Sequence, residues 1–330
     1  MPQSSYEYAL GRISVLSTKL LNGSQLRRIN EAASVKEAMA LLVETGYGEN
    51  LTEEHINSNE IDMVIREQLQ LTRQRIWEIT PEPELTGLFL LMVDTHNIKA
   101  LLKARLLGLD ASDILRTGGN FPLETLQVAI STKSYEHLPD IYRKTLEKIE
   151  NDLTRSVDPL QFSALIDGAM FKQVKMVLDA QQEHGFIREY FALMADFLNA
   201  RSVLRAVRLN WDVDKLKPLL LEGGDIPVKV FVDNLETPLD QLSGKFNLGR
   251  YGSLLAATLT EFVQTEDITI LKTRMDAALF AIIRRVSLEN ASLGPIISYL
   301  MGREAEAKAL RVIFGSKQGG FEAPLPELYA

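Results

Sequence analysis

The run Asp94-Thr-His-Asn97-Ile-Lys99-Ala-Leu-Leu-Lys103-Ala-Arg-Leu-Leu-Gly108 decides how this chain reads. It has the spacing of a helix, and a degenerate copy follows: Asp196-Phe-Leu-Asn199-Ala-Arg201-Ser-Val-Leu-Arg205-Ala. Asp94, Asn97, Lys99 and Lys103 match Asp196, Asn199, Arg201 and Arg205 in order. A looser third version is Glu304-Ala-Glu306-Ala-Lys308-Ala-Leu310-Arg311. The period is roughly 100 residues, too long for a solenoid unit and suited to a small domain.

A second feature recurs with it. Gly118-Gly119-Asn120-Phe121-Pro122 follows the first copy, and Gly223-Gly224-Asp225-Ile226-Pro227 follows the second. The gap from Asn97 to Gly118 is 21 residues and that from Asn199 to Gly223 is 24. Glycines permit the backbone angles of a chain reversal, and proline restarts the next element with φ fixed. The pattern closes one unit and opens the next, giving domains at 1–117, 118–222 and 223–330.

The rest of the chain is helical by period. Leu10, Ile13, Leu16 and Leu20 mark a helix over Tyr6 to Leu21, with Asn22-Gly23 as its stop. Leu26 to Ala33 gives a short helix. Ser34 with Glu37 reads as a capping box for the next, which ends at Gly46. Ile61 to Ile79 is closed by Thr80-Pro81-Glu-Pro83. Further helices are predicted near Ser134 to Leu153, Pro159 to Gln182, Gly185 to Leu209, Tyr251 to Gln264, Ile268 to Leu288 and Leu293 to Phe314. Between Pro227 and Arg250, only Val228 reads as a weak helix start. Strand patterns are lacking, so the expected fold class is all-α.

Composition excludes several functions. A net charge of −8 argues against nucleic acid as partner, because phosphate neutralisation wants a basic surface. Aromatic residues do not interleave with the basic pairs, so base-stacking platforms are not expected. The absence of cysteine removes disulfides, thiolate metal sites and thiol nucleophiles. The start MPQSSYEYALGR lacks the basic and apolar regions of a signal peptide. No apolar run approaches the roughly 20 residues of a membrane helix, so direct membrane insertion is not expected.

Catalytic signatures are missing. Ser243-Gly244-Lys245 lacks the upstream glycine of a phosphate-binding loop, and no dinucleotide, nucleophile-elbow or His-Glu-x-x-His motif occurs. His55, His96, His137 and His184 are scattered, and the counterpart of His96 is Leu198, which favours a packing role. No cofactor and no metal are expected. Glu304 and Glu306 could be offered as metal ligands, but their i, i+2 spacing sends them to different helix faces.

The basic pairs carry the remaining signal. Lys99 and Lys103, Arg201 and Arg205, and Lys308 and Arg311 each share a helix face. Like charges at this spacing cost a helix a few tenths of a kcal/mol. Two readings are open: pairing with internal carboxylates, or basic ridges lining a shared surface for an acidic partner.

Several stretches together resemble the C subunit of the V-type or archaeal-type rotary ATPase/ATP synthase, the relative of the d subunit of the eukaryotic V-ATPase. They are Tyr6-Glu-Tyr8-Ala9-x-x-Arg12, Leu41-Leu42-x-x-Thr45-x-Tyr47-Gly48, the Asp94 to Ala104 block, and Arg303 to Lys317. Ala309 departs from the family pattern, where Asn is expected. The resemblance implies three similar helical domains around a pseudo-threefold axis, funnel-shaped. It implies a rotor part without catalytic residues, whose partners are the central shaft subunits and the cytoplasmic face of the membrane proteolipid ring. The location would be cytoplasmic, peripheral to the membrane through the complex. On that reading Lys99, Lys103, Arg201, Arg205, Lys308 and Arg311 are candidate shaft contacts. A generic helical repeat scaffold is the alternative.

Overall fold

The computed structural model describes residues 5–47, 61–153, 159–182 and 185–321. Among them every regular element is a helix, in agreement with the all-α expectation. The α-helices run α1 Tyr6–Ser17, α2 Gly23–Glu31, α3 Val35–Glu44, α4 Ile61–Ile79, α5 Pro83–Leu107, α6 Leu123–Thr132, α7 Asp140–Leu153 and α8 Pro159–Ala180. They continue with α9 Phe186–Arg208, α10 Val213–Leu216, α11 Val228–Asp233, α12 Leu239–Lys245, α13 Gly252–Thr265, α14 Thr269–Val286 and α15 Gly294–Gly319. Short 3-10 turns lie at Ser112–Ile114 and Lys217–Leu219.

The described residues fall into two compact units. The first takes Met1–Thr86, Arg116–Gly118 and Ile283–Ala330; the second takes Gly87–Leu115 and Gly119–Ile282. In the first, both ends of the chain share one core. Leu26, Ile29, Met39, Leu42, Ile65 and Leu69 from α2, α3 and α4 pack with Leu310, Ile313 and Phe314 from α15. Each such side chain, fully buried, contributes roughly 1.5–3 kcal/mol.

In the second unit, α5 and α9 are the inner helices. Phe89 on α5 meets Phe191 on α9, ring centroids 5.5 Å apart, and Tyr190 at 5.1 Å. Phe89 and Phe191 each stand five residues before the repeated aspartate, so equivalent residues of the two copies touch each other. The Tyr142 hydroxyl, on α7, lies 2.8 Å from Thr95 Oγ1 on α5. α5 is long and apolar enough to span a membrane by length and composition, and most of that stretch is buried inside the protein.

Several predicted boundaries move, each for a local reason. Asn22 starts a helix and does not stop one: its side chain accepts from Gln25 N while Gln25 reaches back to Asn22 N. The helix predicted from Ser134 begins at Asp140, because Lys133 turns left-handed (φ 59°) and Pro139 precedes the new start. Ser34 caps α3 at Glu37 N as predicted, whereas the Glu37 carboxylate takes the Ala33 N–H, not that of Ser34. α15 runs on to Gly319, beyond the predicted Phe314. α6 has no counterpart in the sequence reading. Gly48, His55 and His184 lie outside the described residues.

Candidate functional site

The long helices α5, α9 and α15 end alike. Gly108, Asn210 and Gly320 adopt left-handed angles (φ 66°, 50° and 69°) just past the last turn. The next residue in each case, Leu109, Trp211 or Phe321, donates its N–H back across the turn, to Ala104, Ala206 or Ser316. This satisfies carbonyls that a helix end otherwise leaves unmatched. Asparagine tolerates the left-handed region better than other side chains, so Asn210 substitutes for glycine.

These caps set a common register. Fourteen residues before each stands a carboxylate: Asp94, Asp196 or Glu306. All three are buried, at 0%, 5% and 1% exposure. Each accepts the N–H of the apolar residue just before the N-cap of a short helix. Asp94 takes Phe121 N (3.3 Å), ahead of Pro122 and α6. Asp196 takes Ile226 N (3.1 Å), ahead of Pro227 and α11. Glu306 takes Leu21 N, ahead of Asn22 and α2. The two aspartates also accept the preceding N–H, from Asn120 (2.9 Å) and Asp225 (3.1 Å). Three residues on, Asn199 exchanges two hydrogen bonds with the Leu221 backbone, at 2.7 and 2.9 Å.

The glycine pair has a matching cause. Gly118 and Gly223 carry φ of +85° and +95°, which suits glycine alone. A Cβ on Gly119 would overlap Asp94 Oδ1, and one on Gly224 would overlap Asp196 Oδ1. The first glycine turns the chain and the second lets it press against the carboxylate.

Burial pushes the Asp196 carboxyl up to about 7, against the Ile226 and Asp225 N–H bonds, which pull it down. A carboxyl raised in the folded state costs stability as it ionises, so its contribution is greatest at low pH and is lost as pH rises towards 7 and beyond. Wild type is expected to lose about 2 kcal/mol more than Asp196→Asn between pH 5 and pH 8. Urea unfolding of both proteins across that range checks it, and parallel curves would refute it.

The six basic residues do not behave as one set. Lys99 pairs with Asp167 on α8 at 2.6 Å, and Arg311 lies 3.3 Å from Asp62. For these two, pairing with carboxylates is what the structure shows. Lys103 and Lys308 are exposed. Arg201 and Arg205 line a cavity between α8 and α9, and neither makes an ion pair among the described residues. The register of the third copy also shifts. Nine residues before the caps stand Lys99, Arg201 and Arg311, so Arg311 and not Lys308 is the counterpart. Gly315 then stands where Lys103 and Arg205 do, and Ala309 where Asn97 and Asn199 do.

The two glutamates offered as metal ligands are engaged otherwise. Glu304 pairs with Arg73, which also donates to Thr117 O. Glu306 pairs with Arg303 at 2.8 Å, both side chains almost wholly buried. The described residues hold no group of three potential ligands. His96 Nε2 lies 2.8 Å from the Ile114 carbonyl, and His137 is exposed.

Residues 9–323 match the ATP synthase (C/AC39) subunit family. The chain belongs to that family. It is 23% identical to the A-type ATP synthase C subunit of Methanocaldococcus jannaschii, covering 94% of this chain and 82% of the relative. The corresponding protein of a Desulfurococcus species is 25% identical over 96% and 88%. That of Halorubrum lacusprofundi is 22% identical over 97% and 95%. The similarity thus runs along essentially the whole of this ATP synthase (C/AC39) chain, and all the repeated elements described above fall within the matched range.

Proposed function

We propose that this ATP synthase component is a non-catalytic rotor part that couples the central shaft to the membrane proteolipid ring, in service of ATP-linked H+ or Na+ transport. Its relatives are named as subunits of A-type ATP synthases. One structural observation carries the reading: the carboxylate latch is used three times, and the third latch returns to the start of the chain. Asp94 holds the start of the second repeat, Asp196 that of the third, and Glu306 that of the first. On this reading three tandem domains, 1–117, 118–222 and 223–330, each hold the start of another through the same kind of contact. Packed helices transmit torque because close-packed interiors deform little.

A coupler also needs faces for its partners. Leu107, Leu109, Leu209 and Phe321 sit at the ends of the three long helices and are all more than half exposed. Exposed apolar residues at equivalent places suit a docking rim. The basic residues Lys99, Lys103, Arg201, Arg205, Lys308 and Arg311 remain the candidate shaft contacts.

The test is a pull-down with purified shaft subunits and detergent-solubilised proteolipid ring. Charge reversal at Lys99, Arg201 and Lys308 together is expected to weaken shaft capture at least tenfold, with helicity retained. Leu109→Glu with Phe321→Glu is expected to lower ring capture and spare the shaft. Wild-type protein that captures neither would favour the generic scaffold instead.

A further inference from the structure

A cavity of about 480 Å³ lies within the second unit, lined from α8, α9, the turn after α10 and Ile268. That volume is in the range, roughly 300–1,000 Å³, of pockets that take small molecules. Its walls are mainly aliphatic: Leu198, Leu209, Leu219, Leu221 and Ile268. Three arginines, Arg201, Arg205 and Arg208, reach the same space from successive turns of α9.

The three are not equivalent. Arg208 is held: its Nη2 donates to the Glu266 carbonyl at 3.2 Å and its guanidinium lies 4.8 Å from the Phe262 ring centre. Asp167, the one carboxylate in the lining, already binds Lys99. Arg201 and Arg205 therefore share the cavity without an ion pair among the described residues. As a whole residue Arg201 counts as exposed, yet crowding around its guanidinium lowers its pKa, Arg205 pushes the same way, and Asp167 opposes. Access through the cavity mouth accounts for both. Two like charges four apart on one helix cost a few tenths of a kcal/mol. In a chain of net charge −8, the one carboxylate placed here is Asp167, which Lys99 already engages at 2.6 Å.

We infer that this cavity binds an anionic amphiphile, a small molecule whose carboxylate or phosphate head sits between Arg201 and Arg205 and whose aliphatic body lies on the leucine wall. The guanidinium fork matches either head group by paired N–H donors. The aliphatic walls supply the apolar burial that a bare anion cannot use. The inference does not rest on the rotor reading, and its test needs no other subunit.

Calorimetric titration of the full chain with octyl phosphate and with octanoate separates the two sources of charge. Inorganic phosphate tests the head alone, and octyl glucoside tests the tail alone. Saturable binding is expected for at least one of the charged amphiphiles, at least tenfold tighter than for inorganic phosphate or octyl glucoside. Arg201→Gln with Arg205→Gln is expected to weaken it at least tenfold. Leu198→Trp, which fills the cavity and keeps both arginines, is expected to do the same. Circular dichroism and thermal melting confirm folding of each variant. If either variant fails to fold, loss in the other decides. Binding that neither folded variant alters, equal binding of octyl glucoside, or no saturable binding of either charged amphiphile would overturn the inference. Shaft capture in the pull-down is read separately, so failure here leaves the rotor reading intact.

Discussion

Replacing Glu306 by alanine is expected to cost the protein about 3–5 kcal/mol, the usual loss when one partner of a buried ion pair is removed. The Arg303 and Glu306 side chains are 3% and 1% exposed and their charges meet at 2.8 Å. Arg303 also lies over the Tyr47 and Tyr299 rings, 5.9 and 5.5 Å from their centres, so its charge is held among aromatic faces and away from bulk solvent. Burial raises the Glu306 pKa, while Arg303 and the Leu21 N–H lower it. Alanine removes both satisfied contacts together, stranding a guanidinium and a backbone N–H. Glu306→Gln keeps an acceptor for Leu21 and loses the charge, so a smaller loss is expected. The double change Arg303→Met with Glu306→Leu removes both charges and should recover most of the ion-pair part. It leaves the Leu21 N–H unmet, worth about 1–3 kcal/mol. Urea unfolding of the four proteins measures this. A loss below about 1 kcal/mol in Glu306→Ala would mean that the latch is not holding the two chain ends together.

That latch also marks where sequence reading stops. The first two copies are legible because an aspartate recurs on the helix and a Gly-Gly pair recurs after it. In the third, the carboxylate is a glutamate and its receiving backbone is Leu21, 285 residues away. The residues before Leu21 that match Gly118 and Gly119 are Thr18 and Lys19. One physical difference explains both changes. Glutamate is a methylene longer, so its carboxylate reaches the N–H without the backbone pressing against it, and glycine is not required. Without the glycines and without a nearby partner, the spacing of Lys308 and Arg311 suggested a register three residues off. The shared left-handed caps correct it, and they involve Gly108, Asn210 and Gly320, which single-residue patterns do not link.

The basic residues were legible as a pattern and not as a set of contacts. Lys99 and Arg201 occupy the same place in their repeats, yet Lys99 reaches Asp167 and Arg201 faces a cavity. Asp167 sits on α8, which precedes α9 in the chain and packs beside it; no local spacing ties it to Lys99, 68 residues earlier. Long-range pairing of this kind is decided by which helices pack together. Helix existence is legible for long periodic segments, whereas short helices are set locally: Asp212 caps α10 by accepting from Lys215 N, and Pro238, with its fixed φ, precedes α12.

Gly119→Ala is expected to be at least as damaging as the loss of a core leucine, about 3 kcal/mol or more, although it adds a single methyl group. The added Cβ would overlap Asp94 Oδ1, and Asp94 is fully buried, with no room to retreat. Moving it breaks the bonds to Asn120 N, Asn120 Nδ2 and Phe121 N, at 2.9, 2.9 and 3.3 Å. Gly224→Ala should repeat the effect through Asp196, whose Oδ1 would meet the new Cβ. Gly223→Ala is the control: φ is +95° but nothing lies within 4 Å, so the cost is backbone strain alone, about 1–2 kcal/mol. Steric conflict and strain are separable by a double-mutant cycle. In an Asp94→Ala background the penalty of Gly119→Ala should fall by at least 1 kcal/mol, because the carboxylate atoms that the new Cβ would meet are gone. Additive effects would show that the Gly119→Ala penalty does not come from Asp94, and that the repeated Asp and Gly-Gly are neighbours in sequence pattern without being partners in energy.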